Sequence, residues 1–121
     1  MVEQVRLFLE HFIDPRKTPE QQAALFTPDV EYYGRKDVSN AEIIRDIKYF
    51  TRRWPTRSYR LASIHYITPD PASDRVFVSY EINYRVASDG KAASGKARYG
   101  AVIAHLSNAP KIEWIKEKIG N

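Results

Sequence analysis

At 121 residues with no cysteine, the chain is the length of one domain and relies on neither disulfides nor thiolate metal sites. Hydrophobic residues at 43% and charged residues at 28% give an ordinary globular composition, and no apolar run approaches the roughly 20 residues of a membrane-spanning helix. The net charge of +4 is local, because eight basic residues between Arg35 and Arg60 face only three acidic ones.

The chain opens on Met1-Val2-Glu3 and enters an amphipathic pattern at once, with no secretory signal. A cytoplasmic location is the default expectation. From Val2 to Ile13 the apolar residues Val5, Phe8, Leu9 and Phe12 share one face of a helix, which Asp14-Pro15 ends. Thr18-Pro19-Glu20-Gln21 is a second helix start, with Thr18 as N-cap, proline at the first helical position and Gln21 three residues after the cap. A short helix through Ala23–Phe26 is predicted to stop at Thr27-Pro28. Asp29 to Tyr33 is rich in β formers and reads as a short strand ending at Gly34, followed by a loop from Arg35 to Val38.

Ser39 and Glu42 form a capping box for a third helix. Ile43, Ile47, Phe50 and Trp54 make its apolar stripe, while Arg45, Lys48, Arg52 and Arg53 fall outside it. Trp54-Pro55 ends a rod of about 22 Å, long enough to lie across a sheet. Four long strands follow: Arg57–Thr68, Arg75–Ala87, Ala92–Leu106 and Lys111–Ile119. The second alternates most clearly, with Val76, Val78, Tyr80, Ile82, Tyr84 and Val86 on one face and Phe77, Ser79, Glu81, Asn83 and Arg85 on the other. Asp89-Gly90 is a hairpin turn in which both residues are expected at positive φ, and Gly95 and Gly100 mark bends.

Helices segregated from an antiparallel sheet define an α+β fold. Strands this long twist, and bends would curl them into a cone with an interior. The order helix, helix, short strand, long helix and four antiparallel strands, with LFTPDVEYYG at Leu25–Gly34, resembles the nuclear transport factor 2-like superfamily, which includes ketosteroid isomerases and polyketide cyclases. The resemblance spans the chain as a single domain, 1–121. It implies three N-terminal helices on a strongly curved antiparallel sheet, the cystatin-like cone. The segment VSNAEIIRDIKYFTRRWPTRSYRL also looks like a bacterial subgroup of unassigned role, some members of which are attached to caspase-like peptidase domains.

Enzymes of the superfamily work inside the cone, typically with an Asp or Asp–His acid/base and Tyr or Asp donors. This chain does not reproduce such a set at matching positions, so no catalytic residue carries over. Three weak candidates stand on their own chemistry. His65 would be a general base if it faced the cone, although a hydrogen-bonded or interface histidine is the commoner role. Glu81 would be an interior acid, against the ordinary reading of a polar face with Glu and Arg paired across strands. Asp46 lies between Ile44 and Ile47 and would point into the pocket mouth, against an ion pair with a nearby arginine.

Tyr33, Phe50, Trp54, Tyr80, Tyr84, Tyr99 and Trp114 are the expected pocket lining, although aromatics serve equally well as core. Arg45, Lys48, Arg52, Arg53 and Arg57 form the expected basic surface. Nucleic acid is disfavoured because no binding motif accompanies that surface, and an acidic partner domain or an anionic ligand fits it better. No metal-ligand spacing and no phosphate-binding glycine loop occurs, so no cofactor is expected. Members of the superfamily usually dimerise through the outer sheet face. The large groups on both faces of Arg75–Ala87 agree with a homodimer. The leading expectation is a non-catalytic dimeric domain that binds a small ligand or a partner protein. The alternatives are a small isomerase, cyclase or dehydratase acting on an apolar substrate, and a basic-surface interaction module.

Overall fold

The computed structural model describes residues 1–118. Helix α1 (Val2–Ile13) buries Val5, Phe8, Leu9 and Phe12, the residues its periodicity selects. It ends at Asp14, whose extended backbone is the conformation a following proline favours. Helix α2 (Pro19–Ala23) begins with a complete capping box between Thr18 and Gln21. It is shorter than predicted. Ile112 N–H donates to Leu25 O at 2.7 Å, so the chain joins the sheet edge, and Phe26 already belongs to strand β1 (Phe26–Tyr32). Pro28 is tolerated within β1 because the pairing register breaks between Phe26 and Glu31. Helix α3 (Asn40–Arg53) carries the second capping box, between Ser39 and Glu42.

The second half is β2 (Thr56–Asp70), β3 (Arg75–Ser88), β4 (Lys91–Ala104) and β5 (Lys111–Lys118). The predicted continuation of the last strand to Ile119 lies outside the described residues. One five-stranded sheet runs β1-β5-β4-β3-β2. Its pairs are antiparallel except β1 with β5, which are parallel. The fold is therefore α+β, with the N-terminal helices packed on a curved, mostly antiparallel sheet. Among the described residues, no helix is long and apolar enough to cross a membrane.

The core lies between the helices and the inner sheet face. Val5, Leu9 and Ile43 from the helices meet Val76, Val78 and Tyr80 of β3, Ala101 and Ile103 of β4, and Ile112 and Ile115 of β5. Strand β3 alternates as predicted, with Val76, Val78, Tyr80, Ile82 and Val86 buried. In the β3–β4 hairpin only Gly90 adopts positive φ, so Asp89 does not take the conformation predicted for it. The turn with two positive-φ residues is Tyr33-Gly34, closed by hydrogen bonds between Tyr32 and Arg35 in both directions.

Bulges decide which residues face inward. Strict alternation from Tyr59 and Leu61 would put His65 on the inner face. Strand β2 instead slips against β3 between Leu61 and Ser63 and again between Ile64 and Tyr66. These slips turn Ile64 and Ile67 inward and His65 outward. Strand β5 slips against β4 at Glu113, between the pairs Ile103–Ile112 and Val102–Trp114. That slip sends Trp114 to the outer face and Ile115 into the core.

Candidate functional site

Between the helices and the inner sheet face lies an open cavity of about 650 Å³. Its walls come from every layer: Phe12 of α1, Phe26 and Tyr32 of β1, Asp46, Ile47 and Phe50 of α3, Tyr59 of β2, Tyr80, Ile82 and Tyr84 of β3, and Tyr99 of β4. Aromatic contacts link them. Phe12 meets Phe26 edge-on at 5.6 Å, Phe26 meets Tyr32 at 5.4 Å, and Tyr32 meets Tyr33 at 4.7 Å. Tyr80 stacks on Tyr99 at 5.5 Å. A largely apolar concave wall with a few polar groups is the usual form of a small-molecule site.

One polar pair stands out in this wall. The Tyr32 hydroxyl donates to Asp46 Oδ2 at 2.6 Å. Burial, reinforced by the adjoining carboxylate, pushes the Tyr32 phenol far above the usual range, so its proton stays in place. The sequence carried a signal for this position. Asp46 lies three residues after Ile43 and four before Phe50, which places a carboxylate on the apolar stripe of α3. Its partner, 14 residues away on β1, was not legible, and the structure pairs Asp46 with a tyrosine where the sequence favoured an arginine.

Tyr33, Phe50, Trp54, Tyr80, Tyr84 and Tyr99 all border the cavity. Phe50 is 43% exposed, at the open side beside Tyr49 and Thr51. Tyr33 also keeps 43% of its surface accessible. Its phenol is held above its ordinary pKa, chiefly by burial, with smaller contributions from Tyr99, Tyr80 and Tyr32. Burial likewise raises the Tyr80 phenol, and burial with Glu117 raises that of Tyr99. These phenols remain protonated donors at neutral pH.

Trp114 does not line the cavity. It stands on the outer face 6.0 Å from Phe77, which in turn stacks with Tyr66 at 6.0 Å. His65 and Glu81 also lie on that outer face, with His65 Nε2 3.8 Å and Arg98 Nη2 3.5 Å from Glu81 Oε1. Neither reaches the cavity, and the Glu–Arg pairing across strands is the arrangement observed for Glu81.

The basic surface is divided. Arg45, Lys48, Arg52 and Arg53 are exposed on α3, with Lys48 paired to Glu20 at 3.4 Å and Arg53 over the Trp54 ring. Arg57 departs from the expectation. It turns inward, borders the cavity and donates to the carbonyls of Trp54 at 2.8 Å and Pro15 at 3.2 Å, tying the end of α3 to the end of α1.

No family model matches the sequence, and no curated protein shows significant similarity to it. Solved structures do match. A protein with a cystatin-like fold from Caulobacter vibrioides superposes with a TM-score of 0.74 at 13% identity, over 99% of this chain and 89% of that one. A protein from Catenulispora acidiphila, solved in complex with S-DNPA, gives a TM-score of 0.66 at 20% identity, over 96% and 90% of the two chains. The NTF2 design Rd1NTF2_04 with long sheet gives 0.63 at 20% identity, over 93% and 98%. Likeness at this identity is likeness of fold, and a cone with an accessible interior is compatible with small-molecule binding. The chain shares the curved-sheet, cystatin-like α+β fold of these structures.

Proposed function

We propose that the protein binds a small, mainly apolar molecule in the cone and holds it by one polar contact at Asp46. The observation that carries this reading is the Tyr32–Asp46 pair in the wall of an aromatic cavity of about 650 Å³. The single Tyr32 proton is committed to Asp46. The pair therefore offers a ligand acceptor lone pairs, and the matching ligand carries a hydroxyl, enol or N–H donor on an apolar frame. The complex of the Catenulispora neighbour lends the reading support by analogy of fold.

The chain has two tryptophans, and Trp114 lies away from the cavity, so Trp114→Phe leaves Trp54 as a reporter at its edge. Titration of that variant with a panel of naphthols and phenols is expected to give saturable quenching. Adding Asp46→Ala should weaken the best binder about tenfold, the loss expected for a hydrogen bond to a charged group. Methyl ethers of the same compounds should bind both variants alike. No saturable quenching across the panel would sink the proposal.

A second reading is proton-transfer catalysis, as in an isomerase. Asp46 would remove and return a proton, while Tyr33, Tyr80 or Tyr99 donates to a developing oxyanion. The same carboxylate favours it. Catalysed deuterium exchange at the α-carbon of a bound ketone, lost in Asp46→Asn, would establish it, and exchange no faster than buffer would dismiss it.

We also propose that the protein dimerises through the outer sheet face, where Tyr66, 50% exposed, continues the Tyr66–Phe77–Trp114 row. Light scattering of Tyr66→Ser/Trp114→Ser should then report a monomer, whereas a wild-type monomer at high concentration would remove this reading.

A further inference from the structure

The outer face carries a second feature at the opposite end of β3 from Phe77. Two neighbouring cross-strand rows span β2, β3 and β4: Ser58–Arg85–Ser94 and Arg60–Asn83–Lys96. All six residues line a shallow groove of about 460 Å³, together with Tyr84 and Gly95. Gly95 stands opposite Tyr84 in the ladder, and a Cβ there would meet the Tyr84 hydroxyl at 3.1 Å.

The charges in this groove are arranged but not compensated. Rows in a sheet lie about 7 Å apart and strands about 4.8 Å, so Arg60 and Lys96 flank Asn83 at about 10 Å with Arg85 on the next row. No two cations face each other directly, and no carboxylate lines the groove. Among the described residues, none of the three reaches salt-bridge distance of an acid. The next acid along β3, Glu81, is engaged by Arg98 and His65. Arg60, Arg85 and Lys96 are all exposed.

We infer that this groove is a binding site for a phosphomonoester group. A single carboxylate offers one charge and two oxygens. A phosphomonoester offers about two charges and three acceptor oxygens near neutral pH. Two guanidinium forks and an ammonium neutralise such a group, and Ser58, Ser94 and the Asn83 amide are placed to complete its hydrogen bonds. The groove opens on the outer sheet face, and of its residues only Tyr84 and Lys96 also border the cavity.

Inorganic phosphate is the first probe, followed by NMR on the labelled full chain at low salt. Saturable shifts centred on the Ser94 and Gly95 amides are expected. Arg85→Ala should reduce affinity about tenfold, and Arg85→Lys, which keeps charge but loses the fork, should lie between. Arg45→Ala/Arg52→Ala, which removes two cations from α3, should change nothing at the groove. Two arms separate the sources of the phosphate. Co-sedimentation with phosphatidate vesicles but not phosphatidylcholine vesicles, lost in Arg85→Ala, identifies a lipid headgroup. Phosphate binding without co-sedimentation identifies a soluble ester. The inference is overturned if phosphate produces no saturable shift, if the α3 variant loses as much affinity as Arg85→Ala, or if duplex DNA binds while phosphate does not.

Discussion

Tyr33 occupies a left-handed backbone conformation, φ 51°, at a position followed by Gly34 at φ 82°. A tyrosine there costs about 1 kcal/mol relative to a residue that tolerates this region. Tyr33 N–H donates to Ile115 O at 3.1 Å, which fixes the turn on β5, and its ring borders the cavity. Strain held at a cavity wall is a mark of a functional position. Tyr33→Asn, which suits the left-handed region, is expected to leave the melting temperature unchanged or slightly higher while weakening ligand capture in the Trp54 quenching assay. A lower melting temperature with unchanged binding would make Tyr33 a structural residue. A different cost sits at Thr27, whose buried Oγ1 has no hydrogen-bond partner among the described residues. Thr27→Val removes the unpaired hydroxyl at constant shape in a strand. It should raise stability by about 1 kcal/mol in urea unfolding.

At the scale of elements, the helices were the most legible part of the chain. Both capping boxes, Thr18 with Gln21 and Ser39 with Glu42, form as their sequences imply, because capping is decided within four residues. The strands were legible in position but not in face. A single extra residue reverses every side chain beyond it, and nothing in the composition around Ala62, His65 or Glu113 announces one. Glu113 is held by Arg75, whose Nε lies 3.0 and 2.8 Å from its two carboxylate oxygens. Deleting Glu113 removes the extra residue, so Ile112, Trp114 and Ile115 follow one another in regular alternation, with Trp114 still outward and Ile115 still inward. The expected outcome is a retained cooperative thermal transition. Glu113→Ala keeps the residue count and loses only an exposed ion pair, so it should cost no more than about 1 kcal/mol. A deletion variant without a cooperative transition would show that the bulge itself, and not the facing of Trp114 and Ile115, holds the strand in place.

The whole molecule gathers phenols around one interior. Burial raises the pKa of Tyr32, Tyr33, Tyr59, Tyr80 and Tyr99 above the ordinary value. In the unfolded chain these groups ionise near pH 10. A raised folded pKa means that the folded state keeps protons the unfolded state has released. The resulting stability is complete below about pH 10 and is lost as pH climbs beyond it. Thermal midpoints should therefore be insensitive to pH just below this range and fall steeply above it. The phenolate absorbance of these five residues should appear with unfolding and not before. A full phenolate signal from a still-folded chain would contradict their enclosure.

The sequence by itself determined the element order, the helix starts, the alternating strand at β3 and the α+β class. Each of these rests on local capping, periodicity and turn chemistry. Only the tertiary structure decided that β1 joins the edge beside β5 in parallel, that Trp114 and His65 face outward, that Arg57 faces inward, and that Tyr32 and Asp46 meet across 14 residues. These outcomes depend on strand register and on contacts between distant segments. Local pattern carries no record of either, because a one-residue slip leaves the composition of a strand unchanged and reverses the direction of its side chains.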